Sequence, residues 1–292
     1  MKKIIGIALF TLVGLYLTAC GNQGVSTSTN EVNSEQAQVK ALSNTEASQV
    51  KDEAKLETNL QQDNKIENKK EANKTNEPKK SEVLKSKIIV IDPGHASKAN
   101  LEKEPLYPGA KEMKIKDGGG AAGIITKTPE YKVNMSVSTK LKELLLQKGY
   151  TVIMTKTEDS KNMGNVERAE FWNKINADLV IRIHADSAQS SSAKGASILI
   201  PAAINENTKE IYEKSKKSGQ MVLDSLIKKV GMPNRGLIER KDMTGFNWSK
   251  RPVILAEIGF LSNKEEDKLL NSQDYQSRIA EALAEGIYSA IK

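Results

Sequence analysis

Cysteine is nearly absent, with Cys20 the only one in 292 residues. A chain with one cysteine cannot be held by a disulfide framework. Histidine is scarcer than usual too, at two residues, so any chemistry built on imidazole rests on His95 and His184. Aromatic residues make up 4% of the chain, and no stripe of arginine with interleaved aromatics is present, which argues against a nucleic-acid surface. No Gly-x-Ser-x-Gly elbow occurs, so serine catalysis of that type is excluded. The glycine-rich run Asp117-Gly118-Gly119-Gly120-Ala121-Ala122-Gly123 lacks the Gly-Lys-Ser/Thr ending of a phosphate loop.

Long apolar runs are also missing. The longest, Ile4 to Leu17, falls short of the about 20 residues a bilayer span needs. Lys2 and Lys3 precede it, and small residues follow, the pattern of a secretory signal over residues 1–19. It ends Leu17-Thr18-Ala19-Cys20-Gly21, which resembles the lipobox of bacterial lipoproteins. The resemblance implies lipidation of Cys20, and hence an exported protein anchored to a membrane by its lipid and acting in the cell wall. That use of Cys20 leaves no cysteine nucleophile.

Residues 20–85 are read as a disordered polar tether. From Gly21 to Lys85 there is no aromatic residue, and 10 Lys stand against 11 Asp plus Glu. Such a stretch cannot bury enough apolar surface to offset the entropy of ordering it. Residues 86–292 are read as one α/β domain with a mostly parallel central sheet flanked by helices. Short apolar runs at Ile88–Ile91, Val152–Met154, Leu179–Ile181, Ile198–Ile200 and Val253–Leu255 suit strands buried on both faces. Between them lie helical patterns over Glu130–Lys148, Val166–Asn176, Asn207–Val230 and Gln273–Ile291. The net charge of +7 points to anionic wall polymers or lipid headgroups rather than nucleic acid.

Both histidines follow expected strands, where open α/β sheets bind their ligands. Two neighbouring strands would bring the imidazoles to one rim. A catalytic zinc site wants a third protein ligand. Glu130, which opens the long helix after Thr128-Pro129, either supplies that ligand or complements the helix dipole.

Asp92-Pro93-Gly94-His95, then Glu130 with Asn134, then Ile183-His184-Ala185-Asp186, then Ala256-Glu257-Ile258-Gly259-Phe260-Leu261-Ser262-Asn263 resemble, in order and spacing, the zinc N-acetylmuramoyl-L-alanine amidases. The resemblance covers residues 87–292. It implies that His95, Glu130 and His184 hold one zinc ion and that Glu257 is the catalytic carboxylate. The implied reaction cuts the amide between the lactyl group of N-acetylmuramic acid and the L-alanine of the peptidoglycan stem peptide. Asp92 is read either as a turn residue or as the group that orients His95. Asn247 and Trp248, in a polar loop before the Glu257 strand, are candidate substrate contacts, with a core role for Trp248 the alternative. Ser97 to Thr128 departs from the shorter glycine-rich form usual after the first histidine and reads as a long loop, a lid or substrate wall. It leaves room for a gated site opened by a protein activator. The readings from other classes are a zinc- or solute-binding lipoprotein and an inactive wall-binding module.

Overall fold

The computed structural model describes residues 86–292. The expected signal segment 1–19, Cys20 and the tether over 20–85 lie outside the described residues. Among the described residues no helix is long and apolar enough to cross a membrane.

Among the described residues fourteen elements follow one another: β1 (Ile88–Pro93), β2 (Asn100–Pro105), β3 (Met113–Asp117), α1 (Glu130–Gln147), β4 (Thr151–Met154), α2 (Asn165–Ile175), β5 (Leu179–Asp186), β6 (Ala196–Pro201), α3 (Glu206–Val230), β7 (Asn234–Arg240), α4 (Thr244–Asn247), β8 (Val253–Phe260), α5 (Lys264–Leu270) and α6 (Gln273–Ala290). Six strands form one sheet in the order β4-β1-β5-β8-β6-β7. Every neighbouring pair is parallel except β6 with β8. The α/β architecture with a mostly parallel sheet is therefore as the strand-helix alternation implies.

The strands are apolar on both faces because both faces are covered. On one side Ile89, Ile91, Ile181, Ile183 and Ile254 meet Val133, Val137, Leu141 and Leu145 of α1 and Ile279, Leu283 and Ile287 of α6. On the other, Val90, Val180, Val253 and Leu255 meet Ala169 and Trp172 of α2 and Phe246 of α4. The fully buried Trp172 satisfies its indole N–H on Ser249 Oγ at 2.9 Å. The spacing of Val133, Val137, Leu141 and Leu145 places one stripe of α1 on the sheet, and this fixes Glu130, at its first turn, over the strand ends.

Two features depart from the sequence reading. The stretch 97–128 is not loop throughout, since β2 and β3 pair as an antiparallel hairpin. Its strands, Asn100–Pro105 and Met113–Asp117, alternate lysine and glutamate with apolar residues that remain exposed, so the apolar run that marks a buried strand is missing. β7 was also not expected, because it is the sheet's edge and only Leu237 and Ile238 are aliphatic.

Candidate metal and catalytic site

β1 and β5 are hydrogen-bonded neighbours, and so are β5 and β8. Their parallel carboxyl ends bring His95, His184 and Glu257 to one rim. His184 and Glu257 are direct register partners. At Gly94 an added Cβ would stand 2.3 Å from the His184 ring, so only glycine lets that ring lie across the chain. His95 follows in the left-handed region at φ 58° and directs its imidazole back over the strand ends. The two rings sit edge to face with centroids 4.9 Å apart.

Glu130 closes the group from α1. Its Oε1 lies 3.1 Å from His184 Nδ1 and 3.5 Å from His95 Nε2. Ala121 N–H donates to Oε2, while Asn134 Nδ2 and Ala185 N–H donate to Oε1. The chain reaches this carboxylate through Gly120 at φ +70°, where a Cβ would lie 2.9 Å from both Glu130 Oε2 and the His95 ring. One ligand atom each from His95, Glu130 and His184 lies within 4.8 Å of the others, a set that could hold a metal ion.

The protonation states suit that use. Burial alone would raise the Glu130 carboxyl, but the hydrogen bond from His184 and the charge of both imidazoles hold it down at about 2. Burial pushes the His184 imidazole down to about 4, against the pull of Glu130. At neutral pH the pair is thus a carboxylate beside a neutral imidazole. His184 Nε2 is buried with no hydrogen-bond partner.

Glu257 has a different environment. Burial, then the negative charges of Glu130 and Asp186, raise its carboxyl well above the ordinary range. Its Oε2 is buried without a partner. It lines a cavity of about 280 Å³ together with both histidines.

His95 is oriented by Asp117, not Asp92. Asp117 Oδ1 lies 2.6 Å from His95 Nδ1, and its carboxylate also accepts from Ala96 and Gly119 N–H. Asp92 is wholly buried in a different network. It accepts from Arg168 Nη1 at 2.5 Å, Arg182 Nε at 2.8 Å and Thr155 Oγ1 at 2.6 Å. Burial opposes its ionisation, yet the two guanidiniums hold its carboxyl far below the usual range. With both oxygens so engaged, Asp92 serves the packing of α2 and β5 against β1.

Asn247 and Trp248 likewise turn away from the rim. Asn247 is fully buried and donates to Leu106 and Lys241 carbonyls, and Trp248 donates to the Pro105 carbonyl. Both fasten the β2–β3 hairpin. Glu104 does the same from the hairpin side, accepting from Asn165 and Val166 N–H at the start of α2. The hairpin in turn carries Asp117, Ile115 and Lys116 to the cavity wall. Sequence reasoning missed Asp117, and the one signal available was its place before three glycines.

Residues 89–289 match the N-acetylmuramoyl-L-alanine amidase family. A similar curated protein, the probable cell wall amidase LytH of Staphylococcus epidermidis, is 25% identical over 207 residues, which is 71% of this chain. This chain spans 59% of that relative's length. Among solved structures, the apo N-acetylmuramyl-L-alanine amidase Ami1 of Mycobacterium abscessus is 25% identical, with a TM-score of 0.64 over 70% of this chain and 99% of that one. The CwlD amidase of Clostridioides difficile, solved in complex with the GerS lipoprotein, is 26% identical, with a TM-score of 0.58 over 70% of this chain and 98% of that one. With the match spanning nearly all of the described residues, the chain belongs to the N-acetylmuramoyl-L-alanine amidase family.

Proposed function

We propose that this chain hydrolyses the amide between the lactyl group of N-acetylmuramic acid and L-alanine of the stem peptide, with a zinc ion held by His95, Glu130 and His184 and with Glu257 as general base and acid. The observation that carries this reading is Glu257 beside His184, on the same rim as a His-Glu-His set. The donor set fits zinc. Zinc takes imidazole nitrogen and carboxylate oxygen ligands of this kind; the Glu130 oxygen stands 3.1 and 3.5 Å from the two imidazole nitrogens, and all three ligand atoms lie within 4.8 Å of one another. When bound, the ion would polarise the scissile carbonyl and make water acidic enough to attack at neutral pH.

The protein groups divide the remaining work. Asp117 fixes the tautomer of His95 by holding Nδ1, leaving Nε2 toward Glu130. Glu257 takes the proton of the attacking water as its oxygen adds to the lactyl carbonyl carbon. It then returns that proton to the alanine nitrogen as the C–N bond breaks, giving a free lactyl carboxylate and a free amino terminus. A carboxyl raised by burial and by neighbouring charges suits this double role. A module that only bound zinc or solute would have no use for a proton-transfer group at this position.

The lipid anchor at Cys20, the signal over 1–19 and the tether over 20–85 complete the proposal, placing a catalytic domain over 86–292 at the cell wall. The test is mass spectrometry of peptidoglycan digested by the full chain, with and without chelator. Stem peptides beginning at L-alanine, released only with zinc, are expected. Glu257→Gln should bind zinc as the wild type does and lose turnover; wild-type turnover in that variant would refute the assignment. Zinc binding with no release of peptide by the wild type would instead favour a site that needs a partner, as the CwlD–GerS complex invites one to test.

A further inference from the structure

The cavity that holds Glu257 continues along the α2 and α4 face of the sheet, where neither the zinc ligands nor the proton transfer uses it. Leu255 and Arg182 form its inner end, and Ile115, Met163 and Met243 wall it. Arg182 pairs with Leu255 across β5 and β8, two residues before the His184–Glu257 pair. Two residues along the strand and one strand across put the Arg182 Cα about 7–8 Å from that of Glu257.

Arg182 is held in place but not used up. Its side chain is 5% exposed. Nε donates to Asp92 and Nη2 to Asn165 Oδ1 at 3.0 Å, whereas Nη1 has no hydrogen bond among the described residues. Gly245 of α4 faces Nη1, and a Cβ there would lie 2.8 Å from it. The one carboxylate of Asp92 serves both Arg168 and Arg182, and the other carboxylates on the cavity wall are Asp117, which is committed to His95, and Glu257. A nearly buried guanidinium N–H left open at the cavity wall calls for an acceptor.

We propose that Arg182 receives a carboxylate of the leaving peptide, borne by the residue that follows L-alanine. The inference rests on the amidase reading. Glu257 must reach the alanine nitrogen, so the leaving peptide runs on its side of the site. From that nitrogen one extended residue advances about 3.5 Å, and the α-carboxylate of the next residue lies a few bonds beyond, a reach that matches the strand step. The alanine methyl meets Leu255 and Ile115 on the way. A carboxylate meets the guanidinium with charge-assisted hydrogen bonds; a primary amide in its place brings no charge and only one acceptor oxygen.

The test compares N-acetylmuramoyl-L-alanyl-D-glutamate with its D-isoglutamine counterpart on the zinc-loaded full chain. The carboxylate substrate should have a kcat/KM about tenfold or more above the amide. Arg182→Met and Gly245→Ala, the second of which keeps the arginine, should each bring that ratio toward one. In chelator-treated protein, calorimetric titration with L-alanyl-D-glutamate and with L-alanyl-D-isoglutamine should show the same preference, lost in both variants. Equal cleavage of both substrates by the wild type would overturn the inference and leave the amidase reading standing. A preference retained in both variants would overturn the role of Arg182. If neither substrate is cleaved, the dipeptide titration decides: discrimination intact upholds the carboxylate site and places the failure in the amidase step or its activation, and discrimination absent overturns the site.

Discussion

Replacing Asp117 by Asn and Asp92 by Asn should give opposite phenotypes, although both aspartates neighbour the first histidine in space or in sequence. Asp117 accepts from His95 Nδ1 at 2.6 Å, Ala96 N–H at 3.1 Å and Gly119 N–H at 2.9 Å. An asparagine keeps one acceptor oxygen, so its NH2 must face either the His95 or the Ala96 donor. In either placement the imidazole loses the carboxylate's charge, and with it the charge-assisted hydrogen bond that holds its tautomer. Loss of such a supporting group typically weakens metal binding 10–100-fold, or about 1.4–2.7 kcal/mol. Stability should change little by comparison. Asp92→Asn leaves two buried guanidiniums sharing a neutral amide, and breaking a buried pair costs about 3–5 kcal/mol. For a domain of this size that is a fall of about 6–20 °C in Tm. Zinc affinity, measured by competition with a chromophoric chelator, should fall mainly in Asp117→Asn. Tm of the metal-free protein should fall mainly in Asp92→Asn. Unchanged zinc affinity in Asp117→Asn, or a metal defect in Asp92→Asn without loss of stability, would refute the division of roles.

Other consequences follow from the same contacts. Gly94→Ala forces the His184 ring from its place, since the new Cβ would stand 2.3 Å from it, and zinc affinity should drop by more than about tenfold by the same competition assay. The metal-free protein should lose thermal stability steadily from pH 7 to pH 3 in scanning calorimetry. The sign follows from linkage: His184 is lowered to about 4 and Glu130 to about 2, so the unfolded chain binds more protons than the folded one in acid. The His184 contribution is lost between about 6.5 and 4, and the Glu130 contribution from about 4.3 downward. Glu257 acts in the other direction, since its raised carboxyl makes ionisation at neutral pH unfavourable in the folded state. Metal-free Glu257→Gln should therefore be at least as stable as the wild type at pH 7.5 in urea denaturation, and a clear loss would contradict the strained carboxylate.

Much of the fold was legible because buried parallel strands leave an unmistakable trace. Ile88 to Ile91 and Leu179 to Ile181 are short runs apolar at successive positions and bounded by polar or turn residues, as strands covered on both faces are. Helix α1 was equally clear from one apolar stripe and Gly149 at its end, where φ is +85°. β7 and the hairpin left no such trace. Their side chains are largely solvated, and their pairing is decided by partners distant in sequence rather than by their own pattern. The antiparallel placement of β6 between β8 and β7 is of the same kind, since its all-buried Ala196–Pro201 run is compatible with either direction.

The site shows where local reading stops. His95, His184 and Glu257 could be placed together because each lies toward or just past the carboxyl end of a strand, and those ends share an edge in a parallel sheet. Asp92 was the nearest carboxylate to His95 in sequence, and proximity in sequence suggested it as the orienting group. On a strand, however, a residue three before the histidine points where the sheet dictates, and Asp92 faces Arg168 and Arg182 under α2. The group that reaches His95 comes 22 residues later, at the end of a hairpin that Trp248, Asn247 and Glu104 fasten to the body. The departure from the short glycine-rich form is thus part of the site rather than an obstacle beside it. The two residues expected to touch substrate act through this hairpin instead, so their loss should loosen His95 before it alters any substrate contact.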